Sequence, residues 1–97
     1  MEMVVAEFSV TPVVGDELRP YVDAAVDEVK KSGLKYEVEA MGTTLEGQLD
    51  EILRVVVKAH NAVKAMGAGR VLTEIKIDDR TPEVTIEQEV EGYRASV

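Results

Sequence analysis

From Val4 to Thr11 the chain alternates. Val4, Ala6, Phe8 and Val10 fall on one parity, and Val5, Glu7, Ser9 and Thr11 on the other. A period of two is the signature of a half-buried strand, and Pro12 and Gly15 end it. From about Asp16 the period lengthens. Leu18, Val22, Ala25, Val26 and Val29 recur on one face of a helix. Pro20 sits near its start, where the missing N–H costs nothing, and Gly33 follows Ser32 as a C-terminal stop. Alternation resumes over Leu34 to Met41, with Leu34, Tyr36, Val38 and Ala40 on the core parity. Gly42 marks a turn, and Thr43 to Gly47 reads as a short third strand with Leu45 inward and Thr44 and Glu46 outward.

Gln48 to Met66 carries the clearest helical pattern: Leu49, Ile52, Leu53, Val56, Ala59, His60 and Val63. Val55, Val57 and Ala62 widen the apolar arc beyond what one sheet face can cover, which implies a second packing partner. Val71 to Asp78 alternates as a fourth strand, with Val71, Thr73, Ile75 and Ile77 inward. Thr85 and Gln88 have capping-box spacing and open a last helix whose stripe is Ile86, Val90, Tyr93 and Val97. Gly92 within that stripe costs about 1 kcal/mol relative to Ala, so this helix needs something to pack on.

The order β-α-β-β-α-β followed by a short helix predicts an α+β, ferredoxin-like βαββαβ sandwich: a four-stranded antiparallel sheet with two helices on one face. The 97 residues suit a single domain, 1–97, with about 83–97 as a C-terminal helical extension. The other sheet face is left open. Val5, Glu7, Ser9, Thr11, Lys35, Glu37, Thr44, Glu46, Glu74 and Lys76 point there, a set too polar for a second core.

Charge and composition narrow the chemistry. Nineteen acidic against eleven basic residues give a net charge of −8, which disfavours nucleic acid and anionic membrane surfaces and attracts cations. The chain has no cysteine, excluding disulfides, thiolate metal sites and thiol nucleophiles. The opening residues lack a signal-peptide pattern and no run is long enough to span a membrane, so the cytoplasm is the expected compartment. His60 is the single histidine, with Val56 and Lys64 flanking it at four residues' distance. A packed, hydrogen-bonded side chain is expected, not a metal ligand, and no metal or other cofactor is called for. Ser9, Ser32 and Ser96 have no nucleophile elbow, and the lone base is expected beneath the sheet. The glycine loops Gly42-Thr43-Thr44 and Gly67-Ala68-Gly69-Arg70 match no phosphate-binding motif. No enzyme is expected. The open face remains: Glu7 and Glu46 on neighbouring strands, with Ser9, Thr11, Thr44 and Lys76 beside them, form a polar set suited to a small cation bearing an amino-heterocycle. A merely solvated face is the alternative.

The segments FSVTPV at 8–13, SGLKYEVEAMGTTLEG at 32–47 and RVLTEIKIDDR at 70–80 resemble the thiamine-binding-protein family related to YkoF. The similarity runs from the first strand to Arg80. It implies a small ferredoxin-like domain that works as a homo-oligomer, dimer or tetramer, and binds thiamine or its hydroxymethylpyrimidine moiety without catalysis. Carried residue by residue, it adds Met41, Gly42 and Thr43 to the candidate ligand-binding set of Glu7, Ser9, Thr11, Thr44, Glu46 and Lys76. It also points to Tyr36, Asp78, Asp79 and Arg80. Gly42 and Gly47 have a backbone explanation, and Tyr36 lies on the core parity. The alternative function is a structural or regulatory homo-oligomer with no small ligand.

Overall fold

The computed structural model describes residues 2–15 and 17–93. β1 (Val4–Pro12), α1 (Arg19–Ser32), β2 (Lys35–Glu39), β3 (Gly42–Gly47), α2 (Leu49–Lys64), β4 (Val71–Asp78) and α3 (Ile86–Val90) follow one another in the expected order. The sheet runs β2-β3-β1-β4, every neighbouring pair antiparallel. α1 and α2 pack on one face, and α3 lies on the other. This is the ferredoxin-like sandwich that the alternation predicts.

The core forms where the inward parity of the central strands meets the two long helices. Val4, Ala6, Phe8, Val10 and Leu45 from the sheet join Ala25 and Val29 of α1 and Ile52, Val55, Val56, Ala59 and Val63 of α2. Tyr36 packs against this cluster, as its parity requires. α2 starts where the Glu51 side chain accepts the Gln48 N–H at 3.3 Å, and Asp50 and Glu51 face the positive end of the helix dipole. At its other end the Lys64 ammonium donates to the carbonyls of Ala68 and Gly69 at 3.0 and 3.2 Å, tying down the loop into β4. The wide apolar arc of α2 finds its second partner in α1 on one flank. The other flank turns toward β4, where His60 Nδ1 lies 2.6 Å from Thr73 Oγ1.

Three expectations change. α1 begins at Arg19 with Leu18 as its N-cap residue, later than expected; Asp16 lies outside the described residues. Leu18 and Val22 of α1, and Val38 and Ala40 at the β2 end, sit on the inward parity yet are exposed. The helices do not reach that corner of the sheet. Gly92 does not interrupt α3: it follows Glu91 with φ 83°, beyond the helix end, and Val97 lies outside the described residues.

The far sheet face is not wholly open. Ile86 is 2% exposed and Val5, on that face, is also buried. The Ile86 N–H donates to Glu46 Oε1 at 2.8 Å, and Val5 is the cross-strand neighbour of Glu46. α3 therefore docks over the row Lys35, Glu46, Val5 and Asp78. Its N-terminus is closed by the expected box, with Gln88 N–H to Thr85 Oγ1 at 3.2 Å and Thr85 N–H to Gln88 Oε1 at 2.8 Å. Ion pairs Lys35–Glu87 and Arg80–Glu89 frame it. A hydrogen bond with Asp78 raises the Glu89 carboxyl above its ordinary range; partial burial and the Asp78 charge add to the rise, and Arg80 opposes it.

Two outcomes follow for this segment. Glu46→Ala removes a charge-assisted acceptor and frees α3, so amide exchange accelerates over residues 86–91 while α1 and α2 stay protected; Glu46→Gln, which keeps an acceptor oxygen, leaves exchange near wild type. Glu89 holds its proton more tightly in the folded chain than in the unfolded one. Its contribution is therefore full at low pH and fades as pH rises through its elevated midpoint. A carboxyl NMR titration should show that midpoint above the ordinary glutamate range, and Asp78→Asn should lower it.

Candidate functional site

β1 is longer than its pairing with β3. Val4 to Phe8 face Gly47 to Thr43, whereas Ser9 to Pro12 pair only with β4. On the β3 side these last four residues have no strand partner, because the chain turns at Ala40-Met41 before β3 begins. The result is a notch in the sheet, bounded by β1, the β2–β3 hairpin and the exposed start of α1. The notch opens into a cleft of about 320 Å³.

Its walls are the apolar residues that the core leaves uncovered. Leu18, Val22 and Val26 of α1 stand on one side, Val38 and Met41 of the hairpin on another, and Phe8, Val10 and Pro12 of β1 form the floor. Val22 is 40% and Val38 51% exposed. Few polar residues line the cleft: Ser9, Thr11, Thr43 and Glu39. Thr43 shares the inward parity of Leu45 and is 7% exposed. Glu39 lies at the cleft rim, and its Oε1 accepts the Thr44 hydroxyl at 2.9 Å. An apolar slot with a small number of oriented polar groups and one rim carboxylate is the ordinary make-up of a small-molecule site.

The sequence-derived candidates divide over this geometry. Ser9, Thr11, Met41, Gly42 and Thr43 come together around the cleft. Thr44 lies behind it, holding Glu39. Glu7 and Lys76 face each other across β1 and β4 on the far side of the sheet. Glu46 Oε1 accepts the Ile86 N–H, and Glu7, Glu46 and Lys76 are not among the residues that line the cleft. Gly42 is explained by space: a Cβ there would stand 2.8 Å from the Phe8 carbonyl oxygen and 3.4 Å from Glu7 Cγ. Its role is to let the hairpin approach β1, and its backbone φ is ordinary. Gly47 is likewise crowded, with both Leu34 methyls at 3.2 Å from a Cβ. Val22, Val38 and Glu39 were not among the candidates. Val22 and Val38 lie on the inward parity, which reads as core, whereas Glu39 ends β2 on the outward parity, which reads as an open-face charge. His60, hydrogen-bonded to Thr73, lies outside the cleft. Among the described residues no three of His, Asp and Glu converge as a metal-binding set, and no helix is long and apolar enough to cross a membrane.

The sequence model of one family, described as thiamine-binding protein, matches residues 6–94. A UPF0045 protein of Methanothermobacter thermautotrophicus is 46% identical over 81 residues, covering 80% of this chain and 82% of that protein. One from Methanocaldococcus jannaschii is 44% identical over 94 residues, covering 95% and 93%. Among solved structures, a domain of unknown function, DUF77, from Bacillus cereus superposes with a TM-score of 0.89 at 44% identity, over 97% of this chain and 92% of that one. A candidate thiamine biosynthesis/salvage protein from Thermotoga maritima gives a TM-score of 0.86 at 32% identity, over 95% and 99%.

Gly42→Ala tests the close approach that shapes the notch. The added methyl meets backbone, which cannot swing aside, so a loss of about 1–3 kcal/mol in unfolding free energy is expected, read by urea denaturation. A fully stable variant would show that the hairpin can retreat from β1.

Proposed function

The chain belongs to the thiamine-binding-protein family, and on that footing we propose that it binds thiamine or its hydroxymethylpyrimidine part in the cleft between α1 and the β2–β3 hairpin. The observation that carries this is the cleft itself: an apolar slot at the notch of β1, edged by Ser9, Thr11, Thr43 and Glu39. Its volume of about 320 Å³ is at the low end of ligand sites, ~300–1,000 Å³. That size suits one heteroaromatic ring, with the remainder of a larger ligand projecting past Met41. Val22, Val26 and Val38 would pack on the ring faces. The hydroxyls of Ser9, Thr11 and Thr43 and the unpartnered main chain of β1 would set its orientation. Glu39, held by Thr44, would meet an amino group or a ring cation. The net charge of −8 favours approach of a cationic ligand.

The reading is one of non-covalent binding in the cytoplasm, with no turnover and no cofactor. Glu7, Glu46 and Lys76 are not needed at the cleft. Glu46 serves α3 instead. Self-association is compatible with it, and the apolar side chains left exposed on α2 and β4 favour a homo-oligomer.

Isothermal titration with thiamine and with hydroxymethylpyrimidine is the direct test. Saturable binding is expected, abolished by Val22→Arg, which fills the slot. Glu39→Gln should weaken thiamine by about 1.5–3 kcal/mol, the range for a charged hydrogen bond, and the uncharged pyrimidine by less. Flat titrations with folded protein would sink the ligand assignment. Binding untouched by Val22→Arg would move it out of this cleft.

A further inference from the structure

Main-chain direction alternates along a central antiparallel strand. The N–H and C=O of one residue point to one neighbouring strand, and those of the next residue to the other. Two contacts set the phase in β1. A Cβ on Gly42 of β3 would stand 2.8 Å from the Phe8 carbonyl oxygen, so the Phe8 main chain faces β3. Just past the strand, the Val13 N–H donates to the Arg70 carbonyl at 2.8 Å, on the β4 side. Even positions of β1 therefore face β3, and odd positions face β4. Ser9 and Thr11 commit their main-chain groups to β4. Val10 and Pro12 turn theirs to the notch, where the pairing with β3 has already ended at Phe8 and Thr43.

Val10 is 9% exposed and lines the cleft. Among the described residues no main-chain partner meets its N–H or C=O on the notch side. A buried main-chain donor and acceptor without partners is rare, and it points to an occupant that supplies them. Pro12, the next position to face the notch, offers a carbonyl and no N–H. The free edge therefore reads, in chain order, donor, acceptor, acceptor. A peptide strand added along β1 would need a longer run and a donor at position 12. A single flat ring needs only the Val10 pair.

We propose that the Val10 main chain is the specificity element of the cleft. Its N–H donates to a ring nitrogen of the ligand, and its C=O accepts from an amino group on the adjacent ring carbon. This rests on the reading of the cleft as the ligand site, and it names the ligand class: flat nitrogen heterocycles with an amino group beside a ring nitrogen. The amino group lies toward Pro12, whose carbonyl can accept its second hydrogen. A dioxo ring such as uracil presents acceptor, donor, acceptor. It satisfies Val10 only by setting its last carbonyl against the Pro12 carbonyl, lone pair against lone pair, and is rejected.

Amide NMR of the full chain tests this, with 4-aminopyrimidine, its dimethylamino analogue and uracil as probes beside thiamine. 4-Aminopyrimidine and thiamine should shift the Val10 amide and slow its exchange about tenfold, with the Ser9 and Thr11 amides little changed. The dimethylamino analogue and uracil should bind about tenfold more weakly or worse, the scale of one hydrogen bond lost at a buried group. Val10→Pro removes a donor that no strand uses. It should fold, by circular dichroism, and lose thiamine affinity about tenfold, while Val10→Ala, which trims the side chain and keeps the N–H, should stay within about threefold of wild type. Thiamine that binds without moving the Val10 amide overturns the proposal, and the cleft reading survives if Val22→Arg still abolishes that binding. No thiamine binding, with 4-aminopyrimidine still shifting Val10, supports the proposal and removes only the thiamine assignment. A Val10 amide that no probe shifts, or uracil binding as well as 4-aminopyrimidine, overturns it. So does a folded Val10→Pro that binds as well as Val10→Ala.

Discussion

Everything in this molecule is organised by the unequal pairing of β1. The strand is bonded to β4 along nearly its whole length but to β3 only as far as Phe8. Where both neighbours are present, Val4, Ala6 and Phe8 are closed off from solvent and anchor the core. Where β3 is missing, the same alternation leaves Val10 and Pro12 as the floor of a cleft. The stagger thus separates a packed, folding end from an end that lines the cleft within one strand.

The two ends are finished differently. At the folding end, the face turned away from α1 and α2 is sealed by α3, held through the Glu46 carboxylate and the buried Ile86 side chain. This docking uses a side chain that a surface reading assigns to ligand recognition. At the cleft end, Gly42 lets the hairpin press against the Phe8 carbonyl, which brings Met41 and Thr43 to the cleft, and the Thr44 hydroxyl holds Glu39 at the rim. Of the two acids, Glu39 lines the cleft and Glu46 lies under α3.

The apolar surface follows the same logic. A two-helix layer covers the centre of a four-stranded sheet and falls short at its margins. On the hairpin side the uncovered residues, Val22 and Val38, wall a slot of ligand size. On the β4 side Ile75, Ile77, Leu53 and Val57 border the outer edge of the sheet.

Parity, period and residue identity are local properties of a chain; they determined the order of elements, the inward sets of β1 and α2, and the caps at Gly33 and at Thr85–Gln88, and composition excluded cysteine chemistry. Resemblance in the segments around Ser9, Met41 and Arg80 extended that to the family. Burial is a different matter, because it depends on where neighbouring elements stop. Parity assigns Val38 and Ile75 to the core and Ser9 and Glu46 to an open face, yet only the assembled fold decided that the helices miss the first two, that the notch exposes Ser9 to the cleft, and that α3 occupies Glu46. Such outcomes rest on lateral contacts between residues dozens of positions apart, such as Glu46 with Ile86, and no local pattern encodes them.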